Sequence, residues 1–137
     1  MIRFAESIKI NASPSVVFDF VTDMRKFAKV KPKNMDVKTF GGDILTLGAR
    51  MTWTTNREDG TTSSWDEEVT KMEKDVMFEW EMVGAPEKFQ GGYRLYKVHN
   101  GTLLVLWDAM AKHQNPSGKD QELTRRLQQL KSVIEEK

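Results

Sequence analysis

The sequence predicts an α+β fold: a curved antiparallel sheet of about seven strands, two short helices after the first strand, and a long C-terminal helix packed on the concave face. An apolar stripe of helical period lies near the C-terminus, seven segments are typical of strands and most of them alternate apolar and polar residues, and turn sequences separate them. At 137 residues the chain is long enough to bury one core, so we expect a single domain over residues 1–137.

The first elements are a strand and two short helices. Ile2–Ile10 alternates apolar and polar side chains, as a half-buried strand does, although Glu6 falls on the apolar face. Ser13 followed by Pro14 is typical of the start of a helix. A second short helix is predicted over residues 23–29. The apolar side of the first helix is assigned to Val16, Val17, Phe20 and Val21.

About six strands are then expected in a meander. The predicted strands are residues 36–40, 49–56, 65–70, 76–82, 89–98 and 102–111. Asp59-Gly60 and Asn100-Gly101 are typical of tight hairpin turns. Gly91-Gly92 lies inside a predicted strand and indicates a bulge or a bend. The last segment is apolar on both faces, so the sequence leaves open whether Asp108 faces inward.

The C-terminal helix is predicted over residues 120–136. Its apolar stripe consists of Leu123, Leu127, Leu130 and Ile134, with Val133 beside it. Asp120 and Glu122 place negative charge in the first turn, where the helix dipole favours it. Burial of five aliphatic side chains stabilises by an upper limit on the order of 10 kcal/mol, so this stripe requires a large apolar partner.

A cavity is expected between the sheet and this helix, because a straight helix cannot contact a strongly curved sheet along its whole length. Inward-facing strand residues and the helix stripe would form its walls. The residues predicted to bind a ligand there are Met51, Trp53, Trp65, Glu67, Phe78, Trp80, Tyr93, Leu123, Leu127 and Leu130.

Composition limits the classes of function. Twenty-one basic residues against 20 acidic ones leave a net charge of +1, which gives no reason to expect nucleic acid as a partner. There is no cysteine, and His99 and His113 are expected at the surface, so we expect no metal site and no cofactor. The sequence shows no secretory signal and no apolar run long enough to span a membrane, so a cytoplasmic protein without integral membrane association is expected.

Several stretches resemble one known superfamily. Residues 8–23, with the sequence IKINASPSVVFDFVTD, resemble the opening of the START-like (SRPBCC) superfamily and in particular its polyketide cyclase/dehydrase branch. Residues 65–79 are similar to its central hairpin, and residues 100–107 and 123–135 to its last hairpin and closing helix. The resemblance implies a helix-grip fold with an apolar pocket, in a superfamily whose members bind lipids, sterols, polyketides or plant hormones.

Three functions are compatible with these observations. The first is binding of a lipophilic small molecule, by a monomer or weak homodimer. The second is a cyclase/dehydrase-type enzyme in which Glu67 transfers a proton with the help of Tyr93. Strand alternation places the Glu67 carboxyl on the apolar side, and a buried carboxyl must be paired, hydrogen-bonded or protonated. The third is a regulatory or protein-interaction module with a collapsed cavity.

Overall fold

The computed structural model describes residues 2–111 and 118–136 and has the predicted α+β architecture. The elements, in chain order, are β1 Ile2–Ile10, α1 Pro14–Thr22, α2 Met24–Phe27, β2 Met35–Phe40, β3 Arg50–Asn56, β4 Thr62–Glu73, β5 Met77–Met82, β6 Phe89–Val98, β7 Gly101–Met110 and α3 Lys119–Glu135. The seven strands form one curved antiparallel sheet in the order β1-β7-β6-β5-β4-β3-β2. Residues 112–117, and with them His113, lie outside the described part of the chain.

The first helix begins where the Ser-Pro pair predicts it. The Ser13 side chain accepts a hydrogen bond from the Val16 backbone amide at 3.3 Å, and Pro14 occupies the first helical position. Its buried side differs from the predicted one, since Val16 is 52% exposed and Phe18 is buried. The sheet and the second helix therefore contact an arc of α1 rotated towards Phe18.

The second helix is shorter than predicted and ends at Phe27. The Asp23 side chain caps it by accepting from the Arg25 backbone amide at 3.0 Å. Beyond it, Lys29 and Val30 donate their amides to the carbonyls three residues earlier, which is a tighter turn than an α-helix makes.

The glycine pair in β6 has a different role from the predicted bulge. β6 pairs with both neighbours in continuous register, and the irregular pairing lies instead in β4, after Val69. A Cβ atom at Gly91 would lie 2.7 Å from Asp108 Oδ1 and 2.8 Å from the Trp80 ring. These two side chains from the neighbouring strands can lie across the β6 backbone only because the residue has no side chain.

The last strand shows one fully buried face. Its even-numbered residues from Thr102 to Asp108 are buried, whereas Leu103, Val105 and Trp107 are half-buried on the other face. Asp108 therefore faces the interior. On the outer face the guanidinium group of Arg3 lies 4.8 Å from the centre of the Trp107 ring and covers part of this apolar side chain.

The C-terminal helix begins one residue earlier than predicted and packs mainly against β1. Leu123, Leu127 and Leu130 are at most 1% exposed, as the apolar stripe predicts. Two hydrogen bonds fix the far end of the helix to the end of β1. The Asn11 amide donates to Glu135 Oε2 at 2.7 Å, and Lys131 Nζ donates to the Lys9 carbonyl at 2.9 Å. Within the described ranges no helix is both long and apolar enough to cross a membrane.

Candidate functional site

A cavity of about 360 Å³ lies between the sheet, the two short helices and the beginning of α3. This volume is within the range of sites that hold small organic molecules. The apolar part of its wall consists of Val21, Met24, Phe27, Met35, Leu45, Met51, Trp53, Trp65, Phe78, Trp80, Met82 and Phe89. The polar part consists of Thr55, Glu67, Tyr93, Asp108, Lys119, Glu122 and Arg126.

The structure brings together all the strand residues that the sequence places in the cavity. These are Met51, Trp53, Trp65, Glu67, Phe78, Trp80 and Tyr93. Glu6 faces the apolar side of β1 opposite Leu106 and is half-buried, but it does not belong to the cavity wall. His99 is exposed in the turn before β7.

The prediction that three leucines of α3 line the cavity is wrong. Leu123, Leu127 and Leu130 are buried in the packed core and do not line the cavity. The reason is that α3 packs mainly against β1, so the leucine stripe is buried in that contact. The face that reaches the cavity is rotated by roughly 80° around the helix axis.

That second face carries charged residues which sequence reasoning missed. Lys119, Glu122 and Arg126 follow one another at helical spacings of three and four, so they share one side of α3. Their spacing could have identified this side, but three charged residues beside an apolar stripe are usually solvent-exposed. Here the Lys119 and Arg126 side chains are only 12% and 18% exposed, because they lie over the cavity.

Glu67 is the most perturbed acid of the site. It is 5% exposed, and the register of the sheet places it between Met51 and Met82 on the neighbouring strands. The pKa of Glu67 is raised to about 7, mainly by burial and to a smaller extent by the negative charge of Asp108. The indole of Trp65 opposes this shift, since its Nε1 donates to Glu67 Oε2 at 2.8 Å. Near neutral pH the carboxyl group can therefore both give and take a proton.

Asp108 holds the beginning of α3 against the sheet. Its Oδ2 lies 3.1 Å from Lys119 Nζ, which also lies 3.3 Å from Glu122 Oε2. Burial raises the pKa of Asp108, and the ammonium group of Lys119 acts in the opposite direction. The lysine therefore favours the charged form of a carboxylate that is only 4% exposed.

Two buried donors of the cavity wall have no hydrogen-bond partner among the described residues: Trp53 Nε1 and the Tyr93 hydroxyl. Trp53 Nε1 lies near enough to Glu67 to lower the pKa of that carboxyl slightly, but it is not within hydrogen-bond geometry. Burial raises the pKa of Tyr93 to about 12, and the guanidinium group of Arg126 lowers it both by its charge and as a donor towards the hydroxyl oxygen. The two groups are not within hydrogen-bond geometry, and the hydroxyl keeps its own proton as a donor at physiological pH. A buried unsatisfied polar group costs about 1–3 kcal/mol.

The charges of the cavity wall nearly balance. Lys119 and Arg126 are positive, Asp108 and Glu122 are negative, and protonation of Glu67 makes the wall neutral. The aromatic side chains form a continuous surface beside these groups, with Phe78 lying 5.4 Å from Trp80 and 5.5 Å from Tyr93 between ring centres. The arrangement suits an uncharged molecule with an apolar body, because an unpaired charge would be desolvated here without a counter-ion.

In the described ranges no three His, Cys, Asp or Glu side chains are grouped as metal ligands.

Comparisons with known proteins agree with this architecture. The family model described as polyketide cyclase / dehydrase and lipid transport matches residues 1–135. Protein CV1439 from Chromobacterium violaceum has a similar structure, with a TM-score of 0.78 and 14% identity over 98% of each chain. The Aha1 dimer from Colwellia psychrerythraea matches with a TM-score of 0.76 and 19% identity over 98% of this chain and 97% of that one. At these identities the structural likeness concerns the fold alone. No curated protein matches the sequence.

Proposed function

The chain belongs to the polyketide cyclase/dehydrase and lipid transport family, and from this premise we propose that it binds an uncharged lipophilic molecule carrying a carbonyl or hydroxyl oxygen. The observation that carries the proposal is the pair of unpartnered donors, Trp53 Nε1 and the Tyr93 hydroxyl, in the wall of an otherwise aromatic cavity. A ligand oxygen that accepts from them would remove the penalty of two unsatisfied buried groups.

The apolar wall would supply most of the affinity. Burial of an apolar ligand surface contributes about 25 cal/mol per Å² before the entropy lost on association is subtracted. The polar groups would orient the ligand. Glu67 in its protonated form would be a third donor in the same cavity wall as Trp53 and Tyr93. The volume of about 360 Å³ argues against a collapsed interior, and with it against the regulatory module that the sequence left open.

One observation favours a second function, that of an enzyme of the cyclase or dehydratase kind. A general acid–base catalyst is most effective when its pKa lies near the working pH, and the pKa of Glu67 is raised to about 7. In such a reaction the Glu67 carboxylate would remove a proton from the carbon next to a ligand carbonyl, while the Tyr93 hydroxyl donates to the enolate oxygen. The protonated Glu67 would then return that proton to a departing hydroxyl group, which leaves as water.

Binding is tested with two uncharged probes of nearly the same shape. Acetylnaphthalene carries a ketone oxygen, and isopropylnaphthalene carries a methyl group in its place. Isothermal titration calorimetry should detect binding of both, with tighter binding of the ketone. Changing Tyr93 to Phe removes only the hydroxyl, so the affinity for the ketone should fall about fivefold to tenfold while that for the hydrocarbon stays the same. Failure of both probes, or an equal effect of Y93F on both, would contradict the proposal.

The enzyme is tested separately by proton exchange. With acetylnaphthalene in deuterated buffer, Glu67 would catalyse exchange of the methyl protons beside the carbonyl, and Glu67→Gln would abolish it. Binding of the ketone without exchange would leave the carrier function and exclude this chemistry for the probe. We further propose that the protein is a monomer or weak homodimer, which light scattering over a range of concentrations measures directly.

A further inference from the structure

The end of β2 and the loop between β2 and β3 expose three large apolar side chains close together in sequence. Phe40, Ile44 and Leu47 are 52%, 58% and 64% exposed, and we call them the loop patch. Leu45, between two of them, is 4% exposed and belongs to the cavity wall. Residues 40–47 therefore present one apolar residue to the cavity and three to the outside.

Backbone hydrogen bonds hold this loop in place. Leu45 donates to the Thr22 carbonyl at 2.8 Å, and the Asp43 carbonyl accepts from the Met24 amide at 2.8 Å. Gly48 donates to the Val69 carbonyl in β4 at 2.8 Å. The loop patch is thus fixed beside the junction of α1 and α2, and its exposure does not result from a chain end or an isolated extension.

The neighbouring segment is basic. Residues 23–43 contain six lysines and arginines and three acidic residues, so this segment carries a net charge of +3 in a chain whose net charge is +1. Arg25 is paired with Asp23 at 2.9 Å. Lys26 and Lys29 are exposed and follow Met24, whose amide is bonded to the loop. Lys38 is exposed and its Nζ lies 5.4 Å from the centre of the Phe40 ring. Asp43 is the one acidic side chain within the loop.

We propose that the loop patch and the lysines beside it form a surface that docks on an anionic lipid bilayer. Aliphatic and aromatic side chains gain free energy at the boundary between headgroups and acyl chains, and nearby lysines are attracted to anionic headgroups. A second copy of the chain fits this surface poorly, because a symmetric contact would place the same basic segment opposite itself. The inference goes beyond the ligand proposed above, and no part of it requires the cavity to be filled.

The docking surface also has a geometric relation to the cavity. Leu45 is adjacent in sequence to Ile44, so the loop that meets the bilayer is part of the cavity wall. Phe27 and Met35, at either end of the basic connection between α2 and β2, line the same cavity. A molecule that moves between a bilayer and the cavity could cross this wall without passing through bulk water.

The test measures sedimentation of the ligand-free protein with vesicles. Phosphatidylcholine vesicles containing about 30% phosphatidylserine should bind it, and pure phosphatidylcholine vesicles should bind it much more weakly. Replacing Ile44 and Leu47 together by Ser should weaken the binding about tenfold or more, because both side chains would lose their apolar contact. Lys26→Ala and Lys29→Ala should each weaken it about fivefold.

Matched controls remove similar groups elsewhere on the surface. Tyr96→Ser removes a side chain that is 50% exposed on β6, and Lys88→Ala and Lys97→Ala remove exposed lysines near the two ends of that strand. These variants should bind the anionic vesicles as the parent chain does, and circular dichroism should show that every variant is folded. Any of three results would overturn the proposal: no binding to anionic vesicles, equal losses of binding in the test and control variants, or self-association through the loop patch without vesicle binding. Failure of the naphthalene probes would leave it standing.

Discussion

The replacement of Glu67 by Gln tests the buried acid most directly. The folded protein holds the pKa of this carboxyl at about 7, against 4.5 for an exposed glutamate. A raised pKa means that the folded chain binds the proton more tightly than the unfolded chain does. The contribution of this carboxyl to the free energy of unfolding is therefore fully present below about pH 4.5. It decreases as the pH rises to the pKa of the folded state, and it is constant again well above pH 7.

The size of this effect follows from the shift. One pKa unit corresponds to about 1.4 kcal/mol, so the ionised carboxyl lowers the free energy of unfolding by about 3 kcal/mol above pH 8. Glutamine has no proton to lose and keeps an oxygen that can accept from Trp65 Nε1, which donates to the glutamate at 2.8 Å. The variant should thus have nearly the stability of the parent chain near pH 5 and exceed it by about 3 kcal/mol near pH 8. The titration of Asp108 is present in both proteins and largely cancels in the difference.

Urea denaturation followed by tryptophan fluorescence measures this difference at the two pH values. Glu68→Gln is the matched control, because Glu68 is the next residue of β4 and forms a surface ion pair with Arg50 at 2.9 Å. Its effect should be below about 1 kcal/mol and should change little over this pH range. If Glu67→Gln changes stability equally at both pH values, or only as much as the control does, the carboxyl is solvated and both its burial and its proposed proton transfer are wrong.

Three further substitutions test the packing of the site. Lys119→Met should destabilise the protein by about 3 kcal/mol at neutral pH, because the buried Asp108 carboxylate loses its partner. Adding Asp108→Asn should restore the stability, and thermal melts measure both effects. Gly91→Ala should cost about 2–4 kcal/mol in urea denaturation, since its Cβ would lie 2.8 Å from the Trp80 ring. Leu127→Ala should cost about 2–5 kcal/mol as a core truncation, and normal stability would refute the placement of the helix stripe.

The strand side of the cavity could be predicted because a strand has only two faces. Once Trp53, Trp65 and Trp80 are placed inward, the period of two places Glu67 and the other wall residues of β3, β4 and β5. The register then brings them together, as in the pairing of Met51 with Glu67. The inward positions follow from alternation alone, without knowledge of how deeply each residue is buried. The pKa of Glu67 depends on that depth and could therefore not be predicted.

The helix side could not be predicted in the same way. An apolar stripe identifies the buried side of a helix but not which buried surface it meets, and in α3 the stripe meets β1. The cavity instead meets Lys119, Glu122 and Arg126, whose burial depends on how far the helix leans across the sheet. Asp108 was undecidable for a related reason. The outer face of β7 carries the half-buried side chains of Leu103, Val105 and Trp107, so the sequence of this strand lacks alternation although only its other face lies in the interior.

The polar groups of the cavity argue for a bound molecule on energetic grounds. Ionised Glu67 costs the fold about 3 kcal/mol above its pKa, and each unsatisfied donor, Trp53 Nε1 and the Tyr93 hydroxyl, costs about 1–3 kcal/mol. These costs are substantial for a domain whose total stability is typically about 5–15 kcal/mol. A chain under selection for stability alone would gain by placing Gln, Phe and Phe at these three positions. Their convergence on one cavity, beside a neutral aromatic wall, is the pattern expected where a site gives up stability to recognise an oxygen atom of a ligand.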